Sequence, residues 1–257
     1  MMICDFLIVM HRIIFIILLT IFISLTNPKD LIIFAHNFDT DDNSSFLTLV
    51  NKLIIENRLL NNSITNSNNN NLNSFEYIEN IENILEEILI SEDSFIIDSD
   101  QFYNNTIIAL VVANLADEVL RNYGHAFGVP SNIMLSMNFS NLANGLNNSS
   151  NAINMNMNAH SAHITHQKNT TSTMIDNSSY YNVLEISNRM IELYDSELKE
   201  FSSNSTYINK AKSDLSDALY DLKKDIEIKE SPYKIMEDVH GRVHPNLQIA
   251  FNLTLRQ

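Results

Sequence analysis

Five side chains of the types that bind soft metal ions lie close together in an Asn-rich stretch of the chain: Met155, Met157, His160, His163 and His166. Thioether sulfur prefers Cu(I), and imidazole nitrogen binds Cu(II) or Zn(II). Histidines three residues apart fan across an α-helix, but they line up in a polyproline-like segment. The pattern predicts a transition-metal site, with copper as the best match. The alternative is that an Asn-rich insert carries Met and His without a role.

A second set of ligand-type residues, Glu237, His240 and His244, lies near the C-terminus. On a regular helix these three positions share one face. His240 and His244 have the spacing of helical zinc ligands, and Glu237 is the candidate third ligand or the partner of a ligand. A di-iron centre needs a second Glu-x-x-His copy and two further glutamates, which we do not find. The alternative is a helix end where His complements the dipole.

A third group, Asp117, Glu118 and His125, lies near the expected end of a helix. Asp117 and Glu118 are neighbours in sequence and therefore point in different directions, and Gly124 is expected to end the helix before His125. We interpret this group as helix-capping residues.

The composition argues against several classes of function. The chain has four glycines in 257 residues and no nucleophile motif, phosphate-binding loop or dinucleotide fingerprint, which favours a protein that is not an enzyme. The net charge of −15, with no basic cluster longer than Lys223–Lys224, argues against nucleic acid as a partner. An acidic surface instead attracts cations.

The N-terminus predicts export. Residues 6–25 are apolar apart from four positions, with Arg12 as the positive flank. This is typical of a signal peptide, here with cleavage after Ala35, or of an uncleaved anchor, since about twenty residues at ~1.5 Å each can cross a bilayer. Both interpretations make the chain secreted or membrane-anchored. The only cysteine, Cys4, lies in this segment, so the mature chain would hold no disulfide.

The rest of the chain shows helical periodicity interrupted by polar tracts. The pattern predicts helices over 42–60, 74–89 and 100–123, with the Asn tract 61–73 as a spacer and Gly124 as a stop. Residues 129–178 show no periodic spacing of apolar residues, which predicts a long loop. Three C-terminal helices are predicted over 180–201, 206–228 and 232–243, the last opened by Ser231-Pro232 and ended or kinked by Pro245.

These elements predict an all-α fold, an antiparallel bundle of about four core helices with the two earlier helices packed on its side. The expected organisation is a signal or anchor at 1–35, a helix and linker at 36–74, bundle helices at 75–128, a Met/His/Asn-rich loop at 129–178 and a C-terminal helical part at 179–257.

Four segments carry a resemblance to a known type of protein: 114–123 (NLADEVLRNY), 183–194 (VLEISNRMIELY), 215–222 (LSDALYDL) and 236–250. Their order resembles the extracytoplasmic helical-bundle domains of iron-permease-type proteins, and it is similar to exported helical proteins of ammonia-oxidising archaea. The Arg-Glu-x-x-Glu motif and the multi-span permease are absent from this chain, so transport does not carry over. The resemblance implies a bundle outside the membrane that binds or buffers a transition metal.

Two functions remain open on the sequence alone. One is an exported or membrane-anchored, non-enzymatic helical-bundle protein that binds a transition metal. The other is a structural or protein-interaction module of the cell envelope that binds no metal and uses its acidic surface to engage a protein partner. A metalloenzyme would need a second ligand helix, which the sequence does not provide.

Overall fold

The computed structural model describes residues 42–65, 74–91, 104–136, 173–201 and 203–254, together with the single positions 98, 100 and 102. These residues are 84% helical and none of them lies in a strand, which confirms the all-α class. The expected signal or anchor at 1–35 lies outside the described residues, as do Met155, Met157, His160, His163 and His166. None of the described helices combines the length and the apolar character needed to cross a bilayer.

The first two helices are α1 (Asp42–Thr65) and α2 (Ser74–Ser91). Helix α1 runs five residues beyond its predicted end, so the expected spacer at 61–73 is wrong in its first part. Ser63 and Thr65 hydroxyls donate to backbone carbonyls three and four residues earlier, which satisfies carbonyl groups at this helix end.

Helix α3 (Asn105–Phe127) starts after Asn104, whose side chain accepts from the Thr106 amide. The predicted stop at Gly124 is wrong, because the helix ends at Gly128 with a left-handed φ of 72°. Gly124 serves close packing instead. A Cβ at this position would lie 2.6 Å from the Val129 carbonyl oxygen and 2.7 Å from Met134 Cγ.

The predicted loop at 129–178 is helical at both of its described ends. The short helix α4 (Ser131–Met134) follows α3, and α5 (Asn177–Leu193) begins after Asp176, whose carboxylate accepts from the Ser178 and Ser179 amides. Between them, the Ile175 amide donates to Ala126 O at 2.8 Å, which ties the start of α5 to the end of α3.

Helix α5 continues through a π-helical turn, Tyr194–Leu198, and α6 (Thr206–Glu227) follows. Helix α7 (Pro232–Asp238) starts at the predicted Ser231 cap. Pro245 does not end the chain's last helix. A second π-helical turn, Val239–Val243, leads into α8 (His244–Phe251). Proline has no N–H and its ring crowds the carbonyl four residues before it, so a widened turn accommodates it without a break.

Helix α3 lies at the centre of the described part of residues 35–257, which form one compact unit. It packs against α1, α4, α5, α7 and α8, while α2 packs on α1 and α6 packs on α5 and α8. Between Ile107 and Leu120 every residue of α3 except Glu118 is buried. A helix that is apolar on all sides requires neighbours on all sides.

Candidate functional site

The structure brings two of the three C-terminal candidate ligands together. His240 and His244 are 6% and 3% exposed, and their ring centroids lie 5.4 Å apart. Glu237 is exposed to solvent and is not part of this pair. His240 lies within the π-helical turn from Val239 to Val243 and His244 follows it directly, so the spacing of a regular helix does not apply to this segment.

The partner of the histidines is Asp117 on α3. Its Oδ1 lies 3.5 Å from His244 Nε2, and both side chains are buried. The interpretation of Asp117 as a capping residue is therefore wrong, because its carboxyl group faces α8 inside the protein. One signal in the sequence pointed to it. Within the apolar run from Ile107 to Leu120, Asn114 and Asp117 are the buried polar residues, and they lie three positions apart.

Burial controls the protonation of this pair. It raises the pKa of Asp117 from 3.8 to about 7 and lowers the pKa of His244 from 6.5 to about 3. Burial also lowers the pKa of His240. A separation of 3.5 Å between Asp117 and His244 is within the range of a salt bridge, but desolvation penalises both charges. It favours a neutral pair, in which the carboxyl group of Asp117 is protonated and the ring of His244 is uncharged.

The groups around the pair leave several buried atoms without a hydrogen-bond partner. His240 Nε2 lies 3.1 Å from Met134 O, which can only accept, so Nε2 carries the proton. Among the described residues, His240 Nδ1, Asp117 Oδ2 and the side-chain oxygen of Asn114 have no hydrogen-bond partner, whereas Asp117 Oδ1 faces His244 Nε2. The Asn114 amide nitrogen donates to Thr48 Oγ1 at 3.0 Å. We define Asn114, Asp117, His240 and His244 as the buried Asp-His cluster.

The described residues contain no group of three or more His, Cys, Asp or Glu side chains placed to hold a metal ion. Glu118, next to Asp117, is engaged elsewhere: its Oε1 lies 3.3 Å from Lys52 Nζ and 3.1 Å from an Arg121 nitrogen. Burial acts to raise the pKa of Glu118, but the two cations lower it overall. His125 is exposed in the last turn of α3.

A second site, which we call the polar cavity, was not anticipated from the sequence. It has a volume of about 170 Å³ and is lined by residues of α2, α3 and α5: Glu76, Tyr77, Asn80, Asn122, Ser178, Ser179 and Asn182. A chain so rich in Asn and Ser gives no sequence signal for such a cluster, because the same residue types also fill its spacers.

Tyr77, at the wall of the polar cavity, is the lining residue whose buried polar atom has no hydrogen-bond partner among the described residues. It is 1% exposed. Burial, followed by the negative charges of Glu76 and Glu56, raises the pKa of Tyr77 to about 12. Glu56 is itself buried, and it accepts hydrogen bonds from the amides of Asn80 at 3.2 Å and Asn182 at 2.9 Å.

The outer face of α2 carries exposed apolar side chains. Phe75 is 79% exposed and Leu89 is 69% exposed, and Ile78 and Leu85 are exposed at 40% and 43%. Ile78, Leu85 and Leu89 recur at helical spacing and form one stripe. Three exposed glutamates, Glu79, Glu82 and Glu86, flank this stripe on the side of Phe75. We call these seven residues the α2 surface.

Comparison with protein-family models, with curated proteins and with solved structures gives no match. The resemblance to iron-permease-type bundle domains therefore stays a prediction.

Proposed function

We propose that this chain is a non-enzymatic interaction protein of the cell envelope, secreted or membrane-anchored, that binds a basic amphipathic helix of a partner protein through the α2 surface. The observation that carries the proposal is the stripe of Ile78, Leu85 and Leu89 flanked by three exposed glutamates. The chain's net charge of −15 agrees with a basic partner.

The stripe is unusual because its members share one face. Single exposed apolar residues are normal on protein surfaces, whereas a contiguous apolar patch with a polar rim is typical of an interaction site. The opposite face of α2 already supplies the contacts that hold the helix, with Tyr77 and Ile84 buried at 1% and 6% exposure. The exposed stripe is therefore surplus to the folding of α2.

The charges select the kind of partner. Glutamates beside an apolar stripe repel acidic segments and attract Lys or Arg side chains, and apolar residues at helical spacing match the apolar face of another helix. A helix with Leu on one face and Lys along its border fits both features.

The binding experiment uses the full chain and a synthetic amphipathic Leu/Lys helix, with a Leu/Glu helix of the same length as the control. We expect the Leu/Lys helix to bind and Leu89→Glu to weaken binding about tenfold, whereas Ile64→Glu, at a 61% exposed site on α1, leaves it unchanged. Fluorescence anisotropy measures both. Equal binding of the two peptides would refute the charge argument, and self-association lost in Leu89→Glu would identify a second copy as the occupant.

The arrangement and location belong to the same proposal. We propose that the helices form an antiparallel bundle and that residues 1–35 export the chain or anchor it. The close packing of α3 with α1, α5, α7 and α8 supports a bundle. Fractionation of cells that express the full chain, with mass spectrometry of the mature N-terminus, tests the location; recovery of the intact chain in the cytosol would exclude it.

The second candidate function is transition-metal binding, which the Met/His spacing favours. Met155, Met157, His160, His163 and His166 are the proposed copper ligands, and the paired rings of His240 and His244 are the fixed part of the earlier hypothesis. Equilibrium dialysis of the full chain with Cu(I), Cu(II), Zn(II) and Fe(II) tests it. A chain with Ala at these five Met and His positions should lose the ion, and wild-type protein that retains less than one ion per chain would exclude this function.

A further inference from the structure

We propose that the polar cavity binds a small organic cation that carries an ammonium or guanidinium group. The proposal does not depend on the α2 surface, because the two regions share no residue. The side chains around the polar cavity are already hydrogen-bonded to one another and to their neighbours, which fixes the groups that face a ligand.

The three asparagines of the cavity have their amide orientation fixed. Asn80 and Asn182 donate to Glu56, and Asn122 donates to the Glu118 carbonyl at 2.9 Å. Each amide has its nitrogen and its oxygen on opposite sides of one group. The nitrogens are held by protein acceptors, so the oxygens remain as groups that accept hydrogen bonds from a ligand.

The two serines are also committed as donors. Ser178 donates to Glu76 and lies 3.0 Å from Asp176 Oδ1, and Ser179 donates to Asp176 Oδ2 at 2.6 Å. A hydroxyl has one hydrogen, so its oxygen can then only accept. The wall of the cavity is consequently rich in acceptors.

The charges in and behind this wall are negative. Glu76 lines the cavity, Glu56 lies behind the asparagines and Asp176 lies beneath the serines. None of the seven described residues that line the cavity is basic. A recess with charge of one sign concentrates ions of the opposite sign.

Tyr77 supplies the independent sign of a ligand. A buried hydroxyl without a partner costs free energy, and native structures rarely leave one unless water or a ligand completes it. A small shift of this buried hydroxyl toward the cavity would let it accept an N–H from a cation. The volume of about 170 Å³ holds roughly five waters at ~30 Å³ each, which suits a compact amine and excludes a nucleotide.

The test is calorimetric titration of the full chain with the diamine putrescine, with butanediol as its neutral counterpart. We expect putrescine to bind and butanediol not to bind. Glu76→Gln keeps the shape but removes the charge, and it should weaken putrescine binding about tenfold. Glu197→Gln, at an exposed position in the π-helical turn that follows α5, lies outside both proposed sites; it is the control and should have no effect.

Three results would overturn the proposal. Absence of putrescine binding at millimolar concentration would mean that the cavity holds only water. Equal binding of butanediol would show that charge is not recognised. Equal weakening by Glu76→Gln and Glu197→Gln would show diffuse attraction to an acidic surface.

Discussion

Buried polar groups on the two sides of α3 are compensated in different ways. On the side of α7 and α8, Asp117, His240 and His244 are buried together, and burial raises the pKa of Asp117 and lowers the pKa of His244, which favours the neutral form of each. On the side of α1, α2 and α5, charged and amide side chains keep hydrogen-bonded partners around the polar cavity. The Asp and His side chains of the core, which are the types that bind metals, thus pair with each other. The polar cavity, which has room for a ligand, is lined mainly by Asn, Ser and Tyr side chains.

The largest expected effect separates the core around α3 from the outer face of α2 in their response to lost apolar volume. Leu115→Ala on α3, at a fully buried position, should lower the free energy of unfolding by about 3 kcal/mol, because it leaves a cavity. Leu85→Ala on the α2 surface, 43% exposed, should change it by less than about 0.5 kcal/mol. Urea denaturation measures both, and similar losses would mean that the outer face of α2 is packed.

Two glycines sharpen the comparison further. Gly124→Ala should cost about 2 kcal/mol, because the new Cβ meets the Val129 carbonyl oxygen at 2.6 Å. Gly241→Ala is the control: its nearest neighbour is Glu237 Cγ at 4.0 Å, and alanine's helix preference should stabilise the chain by up to about 1 kcal/mol. Thermal unfolding distinguishes them, and tolerance of Gly124→Ala would contradict close packing at the end of α3.

The pH dependence tests the neutral pair. The raised pKa of Asp117 means that the folded chain holds a proton that the unfolded chain releases above its pKa of 3.8, so its contribution to stability falls as pH rises to about 7. The lowered pKa of His244 has the opposite sign between about 3 and 6.5, where the unfolded chain binds the extra proton. In acid, the effects of Asp117 and His244 on the pH dependence of stability therefore oppose each other. Near neutral pH only the effect of Asp117 remains, so stability falls as pH rises.

Asp117→Asn isolates the acid. The variant mimics the protonated side chain, so its stability relative to the parent should increase by about 2 kcal/mol between pH ~5 and pH ~8. Chemical denaturation across this range measures the difference. A difference that stays constant from pH ~5 to pH ~8 would mean that Asp117 is already ionised in the folded chain at pH ~5, which contradicts the neutral pair.

The smallest expected effect concerns the hydroxyl of Tyr77. Tyr77→Phe removes a buried group without a partner and should stabilise the ligand-free chain by about 1 kcal/mol. Tyr220→Phe is the control, since its exposed hydroxyl donates to Asp195 at 2.8 Å and its loss should bring no gain. Differential scanning calorimetry measures both, and a loss of stability in Tyr77→Phe would mean that water already satisfies the hydroxyl.

Local sequence signals predicted the helices well. The Ser231-Pro232 start of α7 and the bounds of α6 both follow from capping and periodicity. Signals that depend on distant neighbours failed. Gly124 looked like a stop because the approach of Val129 and Met134 is tertiary, and Asp117 looked like a cap because His244 reaches it from the other end of the chain. Glu237 was misplaced because a π-helical turn follows it and the prediction assumed a regular helix.

The π-helical turn from Val239 to Val243 limits which residue deletions the chain can tolerate. A π-helical turn equals an α-helix with one residue inserted, and one residue corresponds to about 100° of rotation around the axis. Deleting any single residue between Val239 and Val243 would swing the chain's final turns, from His244 to Phe251, away from α3. In this segment the number of residues, more than their identity, determines the direction in which α8 leaves the turn.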